Sequence, residues 1–211
     1  MNKLLDPNNK VFTLIGILGD HLVLGLMWFL CSVPVIAAGA ATTAVYDVSR
    51  RILERQEFGL FRDFFRAFRR DFKQSTLLWL PYLAVGLVLT VDLYFYYSLA
   101  AQDSQWAGIA LGVFGALSLL YLACLVWIFP YVSRFRCKYV QAIRLSFMIG
   151  MVNLGYTVLM IFIPAALAVL SVYLPWLLPF LPGLILLGES LLVSRVFQKY
   201  TAKKNTAEET N

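Results

Sequence analysis

Between Leu22 and Tyr46 the chain carries 25 consecutive residues without a charge, and the following stretch, Asp47 to Lys73, carries eight lysines and arginines. At about 1.5 Å per residue, the uncharged run is long enough to cross a ~30 Å hydrocarbon core as a helix. The cations behind it fix the side, because basic flanks of a span stay in the cytoplasm. A chain with this pairing is expected to be an all-α, polytopic membrane protein. Composition agrees: 60% of the 211 residues are hydrophobic, well above the roughly 45–50% of soluble domains. Cleavage as a signal peptide at the small residues Ala37 to Ala41 is disfavoured. The run exceeds the roughly 7–15 residues of a signal core, and cleavage would send the arginines outward.

Taken in order, residues 1–21 read as a short interfacial segment, amphipathic through Val11, Phe12, Leu14, Ile15 and Leu18. A first span over 22–46 is followed by a cytoplasmic basic and aromatic helical segment over 47–73, with Gly59 dividing it. Further spans are expected at 75–101, 107–131, 148–173 and 183–197. A cytoplasmic loop fills 132–147, and a polar tail fills 198–211 in a single membrane domain, 1–211. The connections AAQDSQW and LPWLLPFLP carry no lysine or arginine, as outer loops should. Sixteen of the 18 lysines and arginines fall in the two inner loops and the C-terminal end, leaving Lys3 and Lys10. Five spans with the N-terminus outside and the C-terminus in the cytoplasm satisfy this count. A re-entrant first segment broken at Pro34 satisfies it too, with the N-terminus inside.

Three groups of residues are candidates for function. Within 47–73, at about 100° per residue, Phe61, Phe64, Phe65, Phe68 and Phe72 cluster within about 100°, opposite Arg62, Arg66, Arg69, Arg70 and Lys73. This is the pattern of a helix lying on anionic headgroups or docking a partner, or of one packing its phenylalanines under the bundle. The small residues Gly39, Ala40, Thr43 and Ala44 recur at i and i+4 and let helices approach closely, within the bundle or in a homo-oligomer. Asp92 and Glu189 are acids inside apolar spans, where a charge costs on the order of 2.5–3.5 kcal/mol. They are candidates for an ion or proton site in a small oligomeric transporter or channel, or for hydrogen-bonded groups within the bundle, Glu189 reaching toward Ser190 or Arg195.

Other classes find no support. The net charge of +6 sits beside apolar spans and points to the membrane surface, not to nucleic acid. Cys31, Cys124 and Cys137 lack metal-ligand spacing and read as free thiols. With His21 as the one histidine and no visible partner for it, neither a metal centre nor an enzyme site is expected, and no cofactor is implied.

The stretch from Trp28 to Leu80 resembles the YesL family of bacterial integral membrane proteins. The matching pattern is a tryptophan-containing apolar span, a small-residue turn, a basic pair, an acidic linker and an aromatic run. Here it is carried by Gly39, Ala41, Thr42, Ala44, Tyr46, Arg50, Arg51, Phe61, Phe64, Phe68, Arg69 and Phe72, with a weaker match at FPYVSRF, 129–135. The family's function is unknown, so the resemblance brings no catalytic residues. Its genes often stand beside sugar ABC transporters and polysaccharide-degrading enzymes. The resemblance therefore implies an accessory or regulatory part in carbohydrate uptake or utilisation, at the cell membrane, with a transporter component as partner. The permease subunit itself is not implied, for the chain has no Glu-Ala-Ala coupling loop.

Overall fold

Pro34 decides the first turn of the fold. It has no N–H to give a helix and pushes the residue before it out of the α region. In the computed structural model, which describes residues 10–54, 56, 59–101, 105–135, 139–174 and 181–209, helix α1 (Lys10–Ser32) stops just before it. A 3-10 turn (Val35–Ala37) follows, and α2 (Ala38–Leu53) runs back along α1. Trp28 donates from its indole to Thr42 at 2.9 Å near the turn, and His21 meets Ser49 at 2.6 Å further down. The two helices are therefore an antiparallel hairpin.

This corrects the single span expected over 22–46. Hydropathy is blind to the reversal because both arms are apolar, and the small residues beyond Pro34 let the second arm fold back. The turn is held from within and from elsewhere in the chain: the Ala37 N–H bonds the Pro34 carbonyl at 2.7 Å, and Trp79 donates its indole N–H to the Val35 carbonyl at 2.7 Å. Irregular backbone at membrane depth needs such internal partners. The hairpin also brings the start of α1 to the end of the molecule where α2 finishes.

Helix α3 (Leu60–Ala100) joins the expected cytoplasmic segment and the second span into one element of 41 residues, about 61 Å long. Gly59 caps it in an extended conformation, and its N–H bonds the Asp63 carboxylate at 3.0 Å. Pro81 lies inside the helix without ending it. α3 runs antiparallel to α2, pairing Ser75 with Thr43 (2.8 Å) and Arg70 with Asp47 (3.8 Å). Past the hairpin tip at Trp79 it continues for 21 residues, about 30 Å, beside the first two-thirds of α4 (Gln105–Arg134). Tyr82 with Cys124 (2.7 Å) and Tyr96 stacked on Phe114 (5.1 Å) mark that pairing.

The expected inner loop 132–147 contains a helix, α5 (Tyr139–Val152), and the fourth span begins later, as α6 (Leu154–Tyr173). Asn153 makes the break. Its side chain bonds the Ile149 carbonyl, and Thr157 bonds the Gly150 and Asn153 carbonyls, so side chains satisfy the interrupted ladder. Trp127 of α4 pins this corner through Thr157 at 2.8 Å. α7 (Leu181–Glu209) carries the helix through much of the expected polar tail. Residues 1–9 of the expected N-terminal segment, most of the turn LPWLLPFLP, and Arg136 to Lys138 lie outside the described residues.

Among the described residues, five helical segments are long and apolar enough to cross a membrane: Thr13–Ser32, Leu60–Ala100, Trp106–Arg134, Leu154–Tyr173 and Leu181–Gln198. Among the described residues there is no strand. Large apolar side chains such as Leu14, Phe29, Val88, Phe162 and Val172 point outward, as lipid-facing surfaces require. The protein is a multi-pass, all-α membrane protein.

The tightest approach joins α1 to α7. A Cβ at Gly25 would overlap the Gly183 backbone nitrogen, and one at Gly183 would stand 2.5 Å from the His21 carbonyl oxygen. Neither backbone can retreat without moving a helix. Gly183→Val is therefore expected to cost about 1–3 kcal/mol by overpacking, read as a lowered unfolding midpoint in detergent. Gly112→Ala, where a Cβ meets nothing within 4 Å, should leave the midpoint unchanged.

Candidate functional site

The basic segment folds around carboxylates. Asp47 of α2 and Asp63 and Asp71 of α3 are 2%, 7% and 8% exposed. Asp47 lies 3.6 Å from Arg50, 3.2 Å from Arg51 and 3.8 Å from Arg70. Arg70 also donates from Nε to Asp71 at 2.9 Å. Asp63 holds Arg66 at 3.2 Å and lies 4.0 Å from Arg51. The result is one ion-pair network stitching α2 to the first turns of α3.

This network rotates α3 away from the expected orientation. The buried stripe runs through Asp63, Phe64, Ala67, Asp71, Ser75 and Leu78, with acids where hydropathy alone would put water. The five phenylalanines consequently part company. Phe64 is fully buried against α2, and Phe68 and Phe72 are half-buried, while Phe61 and Phe65 remain 61% and 45% exposed. Phe65 then shares an open concavity of about 680 Å³ with Arg62, Arg66, Arg69 and Arg70. Arg62, Arg69 and Lys73 are exposed and make no ion pair among the described residues. Two kinds of arginine thus coexist on one helix, some committed to buried acids and some free to meet an external anion.

Gly39, Ala40, Thr43 and Ala44 are all buried. Gly39 sits against the Trp79 Cβ and the Ser75 carbonyl, and Thr43 shares a 2.8 Å hydrogen bond with Ser75. Ala44 packs in the cluster with Leu24, Met27 and Val48. The small-residue seam is spent on α1 and α3 of the same chain.

The two intramembrane acids do not share a site. Asp92 lies 21 residues, about 30 Å of helix, beyond Asp71 on α3. It is half-buried and has no hydrogen-bond or ion-pair partner among the described residues. Glu189 of α7 accepts a short hydrogen bond from the buried Tyr46 hydroxyl of α2. Neither Ser190 nor Arg195, the partners suggested by proximity in sequence, takes that place. His21 does have a partner, Ser49, 28 positions away, a spacing that no sequence signal reveals.

Comparison with known proteins locates this architecture. Residues 22–93 match the family described as "Protein of unknown function, DUF624". The chain is 28% identical over 139 residues to "Uncharacterized protein YesL" of Bacillus subtilis (strain 168), covering 65% of this chain and 64% of that protein. It is 26% identical over 159 residues to "Uncharacterized protein YteU" of the same organism, covering 75% of this chain and 70% of the relative. This similarity supports a YesL-family assignment. No solved structure matches it. The region matched to the family takes in the second half of α1, all of α2 and most of α3. The whole Asp47, Asp63, Asp71 network therefore lies inside it, whereas Glu189 lies outside.

Removing Asp47 takes one acidic partner from each of three arginines, which keep Glu54, Asp63 and Asp71 respectively. Because those arginines are 25–33% exposed, Asp47→Asn should cost about 2–3 kcal/mol, below the ~3–5 of a fully buried pair. Arg62→Gln, on the free side of the same helix, should stay within about 0.5 kcal/mol. Thermal unfolding of the purified protein compares them directly.

Proposed function

We propose that the protein is an integral membrane accessory or regulatory component, working through the outward basic and aromatic face at the start of α3. The observation that carries this is the division of labour on that helix: Arg62, Arg69 and Lys73 are exposed without acidic partners beside the exposed Phe61 and Phe65. Arginine forks match phosphate and carboxylate oxygens, and phenylalanine rings suit the acyl boundary. The same helix runs unbroken into apolar sequence, which holds these cations a fixed distance from the hydrocarbon. Anionic headgroups are the first occupant of such a face, and a partner protein's acidic surface the second.

On this reading the basic end faces the cytoplasm of a cell membrane, and the C-terminus lies on that side. The hairpin supports the same side for the start of α1. Work alongside a carbohydrate uptake or utilisation system, with a sugar ABC transporter component as partner, is supported by the family resemblance alone.

The face is tested by the anionic phospholipid retained when the protein is purified from mixed vesicles. Each cation near the surface contributes about 1 kcal/mol, so Arg62→Gln and Arg69→Gln should each lower retention about fivefold and blunt its dependence on salt. Insertion should be unaffected. Retention equal to the parent in the double variant would remove this face as the contact.

A further inference from the structure

Beside α5, where α3 and α4 run together, the surface opens into a groove of about 510 Å³. Its walls are residues between Pro81 and Leu89 of α3, residues between Leu117 and Cys124 of α4, and Ile143 and Phe147 of α5. A close approach of α3 and α4 forms the floor: a Cβ at Gly86 would stand 2.6 Å from the Tyr121 hydroxyl. The polar atoms of the walls are engaged with one another. Tyr121 donates to the Tyr82 carbonyl at 2.9 Å, the Tyr82 hydroxyl meets the Cys124 thiol at 2.7 Å, and that thiol stands 3.8 Å from the Ile143 carbonyl. What faces the opening is hydrocarbon, with Val85, Leu117 and Leu120 50%, 46% and 41% exposed. Polar ligands gain little from such walls, whereas an apolar chain fits them.

Length and depth narrow the occupant. Pro81 to Leu89 spans about 12 Å along α3, close to the ~15 Å half-thickness of a hydrocarbon core. Tyr82 and Cys124 mark the end nearer the basic segment, and Leu89 and Leu117 the end deeper in the apolar run. The groove therefore follows a single leaflet, in the direction that an acyl chain takes.

A cation stands at the shallow end. Arg144 follows Ile143, whose carbonyl the Cys124 thiol approaches. It also lies three positions before Phe147, a spacing that sets Cβ atoms about 5–6 Å apart on one helix surface. Arg144 is exposed and makes no ion pair among the described residues, and residues 131–147 include no acid. Around it the outward face of α5 is apolar, with Val140, Met148 and Met151 78%, 50% and 45% exposed. An arginine on such a lipid-facing surface turns its guanidinium to the phosphate layer and pairs there. A cation at the shallow end and an apolar channel running inward from it have the polarity of a phospholipid.

We propose that this groove binds one phospholipid of the leaflet at the basic end, its phosphate on the Arg144 guanidinium and one acyl chain laid between α3 and α4 toward Leu89. The site is separate from the basic face of α3 and does not depend on it. Surrounding lipid touches the bundle from one side, whereas this molecule is held at its head by a charge and along its tail by three helices.

Native mass spectrometry of the full-length protein, released from nanodiscs of phosphatidylglycerol and phosphatidylethanolamine, counts the lipids that stay bound. The parent should keep one phospholipid after the exchangeable shell is stripped. Arg144→Gln should lower its occupancy about fivefold. Leu117→Trp, which fills the groove from a half-buried position, should abolish it. Leu119→Trp, on the same helix outside the groove, should leave it in place, as should the pair Arg62→Gln and Arg69→Gln on the face of α3. A parent that sheds every phospholipid, or parental occupancy in Arg144→Gln or in Leu117→Trp, overturns the proposal. Loss of the lipid with Leu119→Trp, or with the Arg62 and Arg69 pair, overturns it too, because the lipid would then be held elsewhere. If Leu117→Trp does not fold, Leu120→Trp carries the same decision.

Discussion

The ion-pair network around Asp47 is the constraint on which the rest of the arrangement depends. A carboxylate that is 2% exposed is tolerable only if cations surround it, and Arg50, Arg51 and Arg70 do so from two helices. Their positions leave one register for α2 on α3. That register puts Gly39 against Trp79 and Thr43 against Ser75, and it brings the Trp79 indole to the Val35 carbonyl. The hairpin turn is thus closed by the helix that the ion pairs align. The same rotation turns Arg62, Arg69 and Phe65 outward, so the contact face is a by-product of burying the acids.

Elsewhere the bundle relies on close backbones and hydrogen bonds, since apolar surface gains little by leaving lipid for protein. Gly25 and Gly183 let α1 and α7 touch, and Trp127 meets Thr157 where α5 gives way to α6. The buried His21–Ser49 hydrogen bond sits beside the glycine crossing. Substitution of either glycine by a larger residue would pry apart α1 and α7 next to that bond. Packing and polar chemistry are coupled there by position.

The length of α3 gives the protein two tiers. Around the first half of the helix lie the hairpin, the ion pairs and the start of the basic face. The second half runs about 30 Å beyond the hairpin tip with α4 beside it, lined outward by residues such as Val88, Val91 and Tyr94. Asp92 belongs to this second tier and Glu189 to the first, which is why they cannot act as one ion site. The uninterrupted helix ties the cations to the apolar tier without a hinge.

Membrane residence, the all-helical class and the likeness to the YesL proteins were all legible from residues alone, because lipid leaves few options for an apolar chain and because the pattern from Trp28 to Leu80 is specific. The free arginines and the phenylalanine repeat were legible too. Which phenylalanines point inward was not: periodicity assumes that buried residues are apolar, and the buried stripe of α3 includes Asp63 and Asp71. Arg66 and Arg70 beside them, together with Arg51 from another helix, make that burial possible, and the last of these contacts has no local period. Likewise Pro34 announced a break, but whether the chain kinked or reversed depended on what lay alongside, and Trp79 is 44 residues away. His21 and Ser49, or Glu189 and Tyr46, are paired by the crossing of α1, α2 and α7. Such pairings leave no trace in spacing, because hydrogen bonds between helices are set by where whole elements pack and not by any local period.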